Sequence, residues 1–199
     1  MTITEHQGAN TMTTTIEIDD ERTELLAELA VARAVLLGTV QGLTDEQLGL
    51  RPTASALCLG GLIKHVASTE TAWMRFVTEG TSGMELALPE GVTWEDLMSG
   101  TAQTYPQWAI DRQNEFEMLP DDSRADVIAD YERVAAATEA VIADAGDLSR
   151  KSPLPSAPWN EPGAQWSVRR VLIHLVAETS QHAGHAEIIR ESIDGHTTM

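Results

Sequence analysis

Residues 174–185, HLVAETSQHAGH, place three histidines and one glutamate in a single short stretch. The whole chain has six histidines, so half of them lie here. Imidazole nitrogens and carboxylate oxygens bind zinc and other transition metals, and the same groups serve as acids and bases in catalysis. The stretch therefore predicts a metal site, an acid–base site, or a polar helix face whose histidines are satisfied by ordinary hydrogen bonds.

On a helix, these four side chains share one narrow stripe. At about 100° per residue, Glu178, His182 and His185 lie roughly 40°, 80° and 20° round from His174. Polar groups on the buried side of a helix must be hydrogen-bonded, charge-paired or bound to a metal. The residues that flank the stripe are apolar and indicate that it lies close to the buried side: Leu172, Ile173, Val176, Ile188 and Ile189.

The rise of the helix determines which groups can share one ion. Side chains four residues apart are separated by about 6 Å along the axis and can converge, whereas His174 and His182 are about 12 Å apart. Three pairs remain possible: His174 with Glu178, Glu178 with His182, and His182 with His185. A third ligand must come from another segment, where His65 is the other histidine in a predicted helix. Three such ligands leave coordination positions open, which is typical of catalytic metal sites. Zinc fits imidazole and carboxylate ligands best, and nickel or iron would also accept them.

Four long segments with helical periodicity would position these groups, because apolar residues recur in them at three- and four-residue steps. Ser167 is a favourable N-cap for the last of them, and Gly195 is a favourable stop. No segment alternates like a strand, so the predicted fold is all-α, a four-helix antiparallel bundle. The segments are 19–42, 58–79, 123–145 and 167–194.

Two long connections, residues 80–122 and 151–165, join the second helix to the third and the third to the fourth. Short helices are predicted in the first, at 93–100 and about 107–118. Connections this long in a small helical protein tend to be functional. Three tryptophans in the two connections could line an apolar pocket, although packing of the loops is a simpler explanation: Trp94, Trp108 and Trp159.

Length and composition restrict the number of domains, the class of partner and the cellular compartment. The length of 199 residues predicts one domain, residues 19–195, after a flexible N-terminal segment, residues 1–18. A net charge of −18 argues against nucleic acid and anionic membranes as partners. The single cysteine, Cys58, excludes an internal disulfide and is interpreted as structural. Together with the absence of an apolar leader, it predicts a cytoplasmic protein.

Three segments of the chain, within residues 20–195, resemble the DinB-like superfamily of four-helix metal-binding proteins. They also resemble, in particular, the branch that includes mycothiol-dependent maleylpyruvate isomerase. The resemblance implies that the metal ligands are His65, Glu178 and His182, and it leaves His174 and His185 as candidate catalytic or pocket residues. The segments are LTDEQLGLRP, LGGLIKHVASTE and ETSQHAGHAEIIRESIDG.

The same resemblance implies an activity. A divalent metal would activate a low-molecular-weight thiol such as mycothiol, which would attack a small electrophile in a transferase or isomerase reaction. A homodimer is expected. The alternative is a non-catalytic, stress-associated DinB-like protein that binds a metal or another ligand. Substrate specificity would be set by residues 80–122.

Overall fold

The computed structural model describes residues 9–84 and 86–197, and the surroundings of side chains from Glu21 onward. These residues are mostly helical, as predicted. In the described part of the chain, no helix combines the length and the apolar character needed to cross a bilayer. In chain order the helices are α1 (Ala9–Gly38), α2 (Asp45–Leu48), α3 (Leu59–Glu79), α4 (Trp94–Ser99), α5 (Gln107–Glu115), α6 (Arg124–Asp144) and α7 (Val168–Asp194). A 3₁₀ helix, Gly80–Met84, follows α3 directly.

Helix termini coincide with capping side chains. The Ser123 hydroxyl accepts from the backbone N–H of Asp126 at the start of α6, and Ser167 does the same for Arg170 at the start of α7. Gly195 ends α7 in the left-handed conformation with φ 75°, which glycine adopts without strain. These local signals explain why the predicted bounds of α3, α6 and α7 agree with the structure to within one residue.

Helix α1 differs from its prediction at both ends. It begins at Ala9 and ends at Gly38, whereas the apolar periodicity predicted residues 19–42. Residues 9–18 of the predicted N-terminal segment therefore have a helical backbone. Residues 1–8 lie outside the described residues, and the flexibility of 1–18 stays a prediction.

The second long connection contains two strands that the sequence analysis did not predict. Strand β1 (Lys151–Pro153) pairs antiparallel with strand β2 (Gln165–Ser167), with Ser152 opposite Trp166. Strands of three residues are too short to show an alternating pattern, which is why periodicity missed them. The pair closes the intervening loop and leads directly into α7.

The four long helices pack α1 against α7, and α3 against both α6 and α7. Their apolar side chains form two clusters, one that includes Leu36 and Leu62 and another that includes Leu29 and Phe76. A buried polar residue separates the two clusters along each helix. These four residues are called the polar layer here: Arg33, Glu70, Thr138 and Thr179.

The order of the two clusters along each helix gives the helix directions. Along α1 and α7 the Leu29 cluster precedes the Leu36 cluster, and along α3 and α6 the order is reversed. Helices α3 and α6 therefore run in one direction, opposite to α1 and α7, so the predicted antiparallel order does not hold between the successive helices α3 and α6. The chain must return along the full length of α3 before α6 begins, which gives a physical reason for the long connection of residues 80–122.

Candidate metal centre

Three side chains from two helices converge on one point. His65 comes from α3, and Glu178 and His182 come from successive turns of α7. One possible ligand atom from each lies within 4.8 Å of the other two. Oε1 of Glu178 is 3.5 Å from Nε2 of His65 and 3.2 Å from Nε2 of His182. The structure thus brings together the three residues that were predicted as metal ligands.

Access to this cluster is unequal. The side chain of His65 is 3% exposed, whereas those of Glu178 and His182 are 21% and 16% exposed. The α3 side of the cluster is therefore closed, and the α7 side is open to solvent. An open side is what a centre needs if a small molecule is to approach a bound cation.

Hydrogen bonds set the charge of the cluster. Those from His182 and His65 hold the pKa of Glu178 well below its usual range, although burial acts in the opposite direction. Burial alone would lower the pKa of His65, but hydrogen bonds to Glu115 and Glu178 outweigh it and raise the pKa. The centre consequently combines the ionised carboxylate of Glu178 with the imidazole of His65, whose protonated form is stabilised by its hydrogen bonds to two carboxylates.

Helix α5, in the first long connection, supplies contacts that the sequence did not predict. Nδ1 of His65 lies 3.1 Å from Oε2 of Glu115, on the ring edge away from Glu178. The Ser68 hydroxyl donates to the other carboxylate oxygen of Glu115 at 2.5 Å. The ring of Phe116 stacks on the imidazole of His65 with centroids 4.2 Å apart. His65 is therefore enclosed by side chains from a distant part of the chain.

The segment Glu115–Met118 lies so close to α3 that only glycine fits beneath it. A Cβ atom on Gly61 would lie 2.2 Å from the carbonyl oxygen of Phe116, and one on Gly60 would lie 2.1 Å from the sulfur of Met118. Lys64 donates to the carbonyl oxygen of Glu117 at 2.9 Å. The Gly60–Gly61 pair was the available sequence signal for a close backbone approach at this site.

The family model described as mycothiol-S-transferase matches residues 24–195, which include both helices of the cluster. The chain belongs to this family. No curated protein matches the chain. Membership confirms the resemblance to a mycothiol-related branch of the DinB-like proteins.

The two other histidines of the α7 stripe lie beside the centre of this mycothiol-S-transferase family member. His174 packs edge-on against Trp73 and Trp166, with centroids 5.2 and 5.1 Å away, and burial lowers its pKa. His185 is exposed, with its ring 5.6 Å from that of His182. Neither belongs to the group of convergent ligand atoms, and a catalytic role for either stays a prediction.

The three tryptophans of the long connections lie together. Trp94 contacts Trp108 at 5.8 Å and Trp159 at 5.1 Å between ring centroids. The Trp108 indole donates to the carbonyl oxygen of Ala87, and Trp159 is 60% exposed. The two connections of this family member thus pack on each other through these rings, and a pocket role stays a prediction.

The adjacent arginines at the start of α7 have different partners. Arg169 forms an ion pair with Glu21 of α1. The guanidinium of Arg170 lies over the Trp166 ring, 4.6 Å from its centroid. Arg170 therefore borders the aromatic group that holds His174.

Proposed function

We propose that this protein is a divalent-metal-dependent thiol transferase or isomerase. It would join a low-molecular-weight thiol, mycothiol above all, to a small electrophile. The observation that carries the proposal is the convergence of His65, Glu178 and His182, whose ligand atoms lie within 4.8 Å of one another. Membership of the mycothiol-S-transferase family supports the choice of thiol. The proposed scaffold is a four-helix bundle of the DinB-like type, built from α1, α3, α6 and α7.

The donor set suits zinc. Two ligands at usual zinc distances in a tetrahedral site are about 3.3 Å apart. The Glu178 oxygen is 3.5 and 3.2 Å from the two imidazole nitrogens, close to this spacing. Two imidazoles and one carboxylate are also acceptable to nickel or iron, so the proposal names zinc first without excluding these.

The chemistry requires a thiolate at neutral pH. A divalent cation held by His65, Glu178 and His182 would lower the pKa of a coordinated thiol. His185, exposed beside His182, is the residue that we propose accepts the thiol proton. The sulfur then forms a bond to the electrophilic carbon, and the leaving group departs with its electron pair. In an isomerisation, the thiol adds and is later released, so neither reaction needs an oxidant or a reductant.

His174 has a different proposed role. Its contacts with Trp73 and Trp166, together with its lowered pKa, support a neutral ring that lines the approach to the open side of the centre. A neutral imidazole among aromatic rings can position a substrate by packing and hydrogen bonding. Substitution of His174 should therefore weaken substrate binding more than it lowers turnover at saturation.

A thiol-conjugation assay tests the proposed function. Purified protein would be incubated with mycothiol and a chlorobimane electrophile, before and after chelation, and after addition of Zn²⁺, Ni²⁺ or Fe²⁺. We expect chelation to abolish turnover and a cation to restore it, with bacillithiol and glutathione as thiol controls. Glu178→Gln should be inactive, whereas Glu191→Gln, an exposed glutamate on the same helix, should behave as wild type.

The assay also separates the alternatives. Turnover that survives complete chelation would show that the metal-dependent mechanism is wrong. Tight binding of Zn²⁺ without thiol transfer to any electrophile would favour the non-catalytic metal-binding alternative. The expected homodimer and cytoplasmic location stay predictions, and sedimentation equilibrium of the purified protein would test the first.

A further inference from the structure

We propose that Glu115 is a positioning residue for the metal centre. Its carboxylate accepts a hydrogen bond from Nδ1–H of His65 and so fixes the tautomer and the direction of the ring. This inference rests on the proposed function of the cluster. It concerns a residue of the long first connection, which neither the α7 stripe nor the family match singles out.

The two ring nitrogens of His65 face two different carboxylates. Nδ1 is 3.1 Å from Oε2 of Glu115, and Nε2 is 3.5 Å from Oε1 of Glu178. A neutral imidazole carries its proton on one nitrogen and a lone pair on the other. Each nitrogen thus faces a carboxylate, and a protonated ring can donate to both. In the neutral ring the shorter contact, that of Nδ1 with Glu115, favours the proton on Nδ1, because an ionised oxygen can only accept. The lone pair then lies on Nε2, which faces Glu178 and His182.

Glu115 is itself held in place from two directions. The Ser68 hydroxyl, one turn beyond His65 on α3, donates to Oε1 at 2.5 Å and leaves Oε2 directed at the imidazole. Phe116, the next residue, stacks on the flat face of the same ring at 4.2 Å. The imidazole is therefore fixed both at its edge and at its face by consecutive residues.

The close approach of the chain to α3 defines the position of these two residues. Gly61 leaves no room between α3 and the Phe116 carbonyl, and Lys64 binds the carbonyl of Glu117 and the carboxylate of Asp122. These contacts anchor the chain at the residues that directly follow Glu115, which is more than a surface ion pair requires. This anchoring gives Glu115 a defined geometry toward His65.

The second imidazole of the cluster provides an internal contrast. Nδ1 of His182 is buried and has no hydrogen-bond partner among the described residues. His182 is oriented instead by its Nε2 contact with Glu178 on the same helix. Of the two imidazoles, only that of His65 has a carboxylate behind it in the described structure. Partners of this kind typically alter metal affinity by about 10–100-fold when removed.

The first test measures Zn²⁺ affinity directly, by competition with a chromophoric chelator. We expect Glu115→Ala to bind Zn²⁺ about 10–100-fold more weakly than wild type. Glu115→Gln keeps an acceptor oxygen but no charge and should fall between the two. Glu117→Gln is the matched control, because Glu117 pairs with Arg51 at the surface and should leave affinity unchanged. Wild-type affinity in Glu115→Ala would overturn the proposal.

The second test uses the metal-free wild-type protein and needs no variant to fold. Nitrogen-15 NMR of the His65 side chain, at a pH where the ring is neutral, should show the proton on Nδ1. A proton on Nε2 would overturn the positioning role. The two readouts also separate this inference from the proposed function. Failure of wild type to bind Zn²⁺ would contradict the metal-dependent activity, whereas the tautomer is decided without metal.

Discussion

Two carboxylates on the inner sides of the long helices, Glu70 of α3 and Glu178 of α7, are used in opposite ways. Glu70 has a completely buried side chain and receives the Arg33 guanidinium through two hydrogen bonds and the Thr138 hydroxyl at 2.5 Å. Glu178 is 21% exposed and faces the imidazoles of His65 and His182. Glu70 pairs with a cation that belongs to the chain, whereas Glu178 is proposed to bind a cation from solution.

The comparison shows how the surroundings of a fully paired carboxylate differ from those of a candidate metal ligand in the same fold. Glu70 lies within the polar layer, where α1 and α6 each donate hydrogen bonds to its carboxylate. Glu178 directly precedes Thr179 of that layer but turns toward the open side. A shift of one residue along α7 therefore separates a closed environment from an accessible one.

Removal of Glu70 is the largest expected effect. Glu70→Ala would leave the buried Arg33 cation with only the exposed Glu139 carboxylate, 3.8 Å away, and loss of one member of a buried pair costs about 3–5 kcal/mol. Urea unfolding of the metal-free protein would measure this loss. Glu178→Ala is the matched comparison and should cost much less in the same state, because Glu178 is partly exposed. Equal losses for the two variants would contradict the distinction drawn between them.

Zn²⁺ should stabilise the wild-type protein through Glu178 and not through Glu70. At a free concentration about 100-fold above Kd, binding to the folded state alone adds about 2.7 kcal/mol. Thermal unfolding with and without Zn²⁺ would measure the shift. Glu178→Ala and His182→Ala should eliminate it. A shift of wild-type size in Glu178→Ala would place the ion elsewhere.

Crowding the contact between α3 and the Glu115–Met118 segment should affect both stability and the centre. Gly61→Ala adds a Cβ 2.2 Å from the Phe116 carbonyl oxygen, and overpacking of this kind typically costs about 1–3 kcal/mol. Zn²⁺ affinity should fall as well, since Phe116 contacts His65. Gly184→Ala of α7 is the control: its Cβ meets no atom within 4 Å, so helix propensity should raise stability.

The smallest expected effect is the pH dependence that Asp122 contributes. Burial acts to raise the pKa of this carboxyl, but hydrogen bonds from Lys64 and the Leu119 backbone outweigh it and lower the pKa below 3.8. Because the pKa of Asp122 is lower in the folded state than in the unfolded state, its ionised carboxylate stabilises the fold at pH values above the ordinary pKa. This stabilisation is lost as the pH falls through the pKa of the folded state. Asp122→Asn should therefore cost about 1 kcal/mol at neutral pH and nothing in strong acid. Parallel stability curves for the two proteins across the acid range would contradict this.

Local patterns predicted α3, α6 and α7 well, because their apolar periodicity and caps are properties of neighbouring residues. Spacing alone allowed three ligand pairs on α7, and it could not choose between them. The resemblance to the DinB-like superfamily selected Glu178 with His182 and added His65, whose position beside Glu178 depends on how two distant helices pack. The structure brings these residues together.

Other features of the structure could not be predicted from the sequence, because they depend on contacts between residues far apart in the chain. Arg33 interrupts the apolar stripe of α1, and nothing in the sequence shows that it pairs with Glu70. Glu115 reaches His65 because the first long connection returns along α3, and the path of a connection follows from helix directions rather than from composition. Strands β1 and β2, with three residues each, were too short to show an alternating pattern in the sequence.

The unequal access to the centre has a consequence for how a bound ion would exchange. His65 is enclosed by α5, whereas Glu178 and His182 meet solvent. A chelator would approach such an ion from the α7 side, so Glu178 and His182 would be the first ligands open to competition and His65 would be the last. Exchange kinetics should thus follow the strength of the α7 pair, and an approaching thiol and its electrophile would react on a single face of the ion.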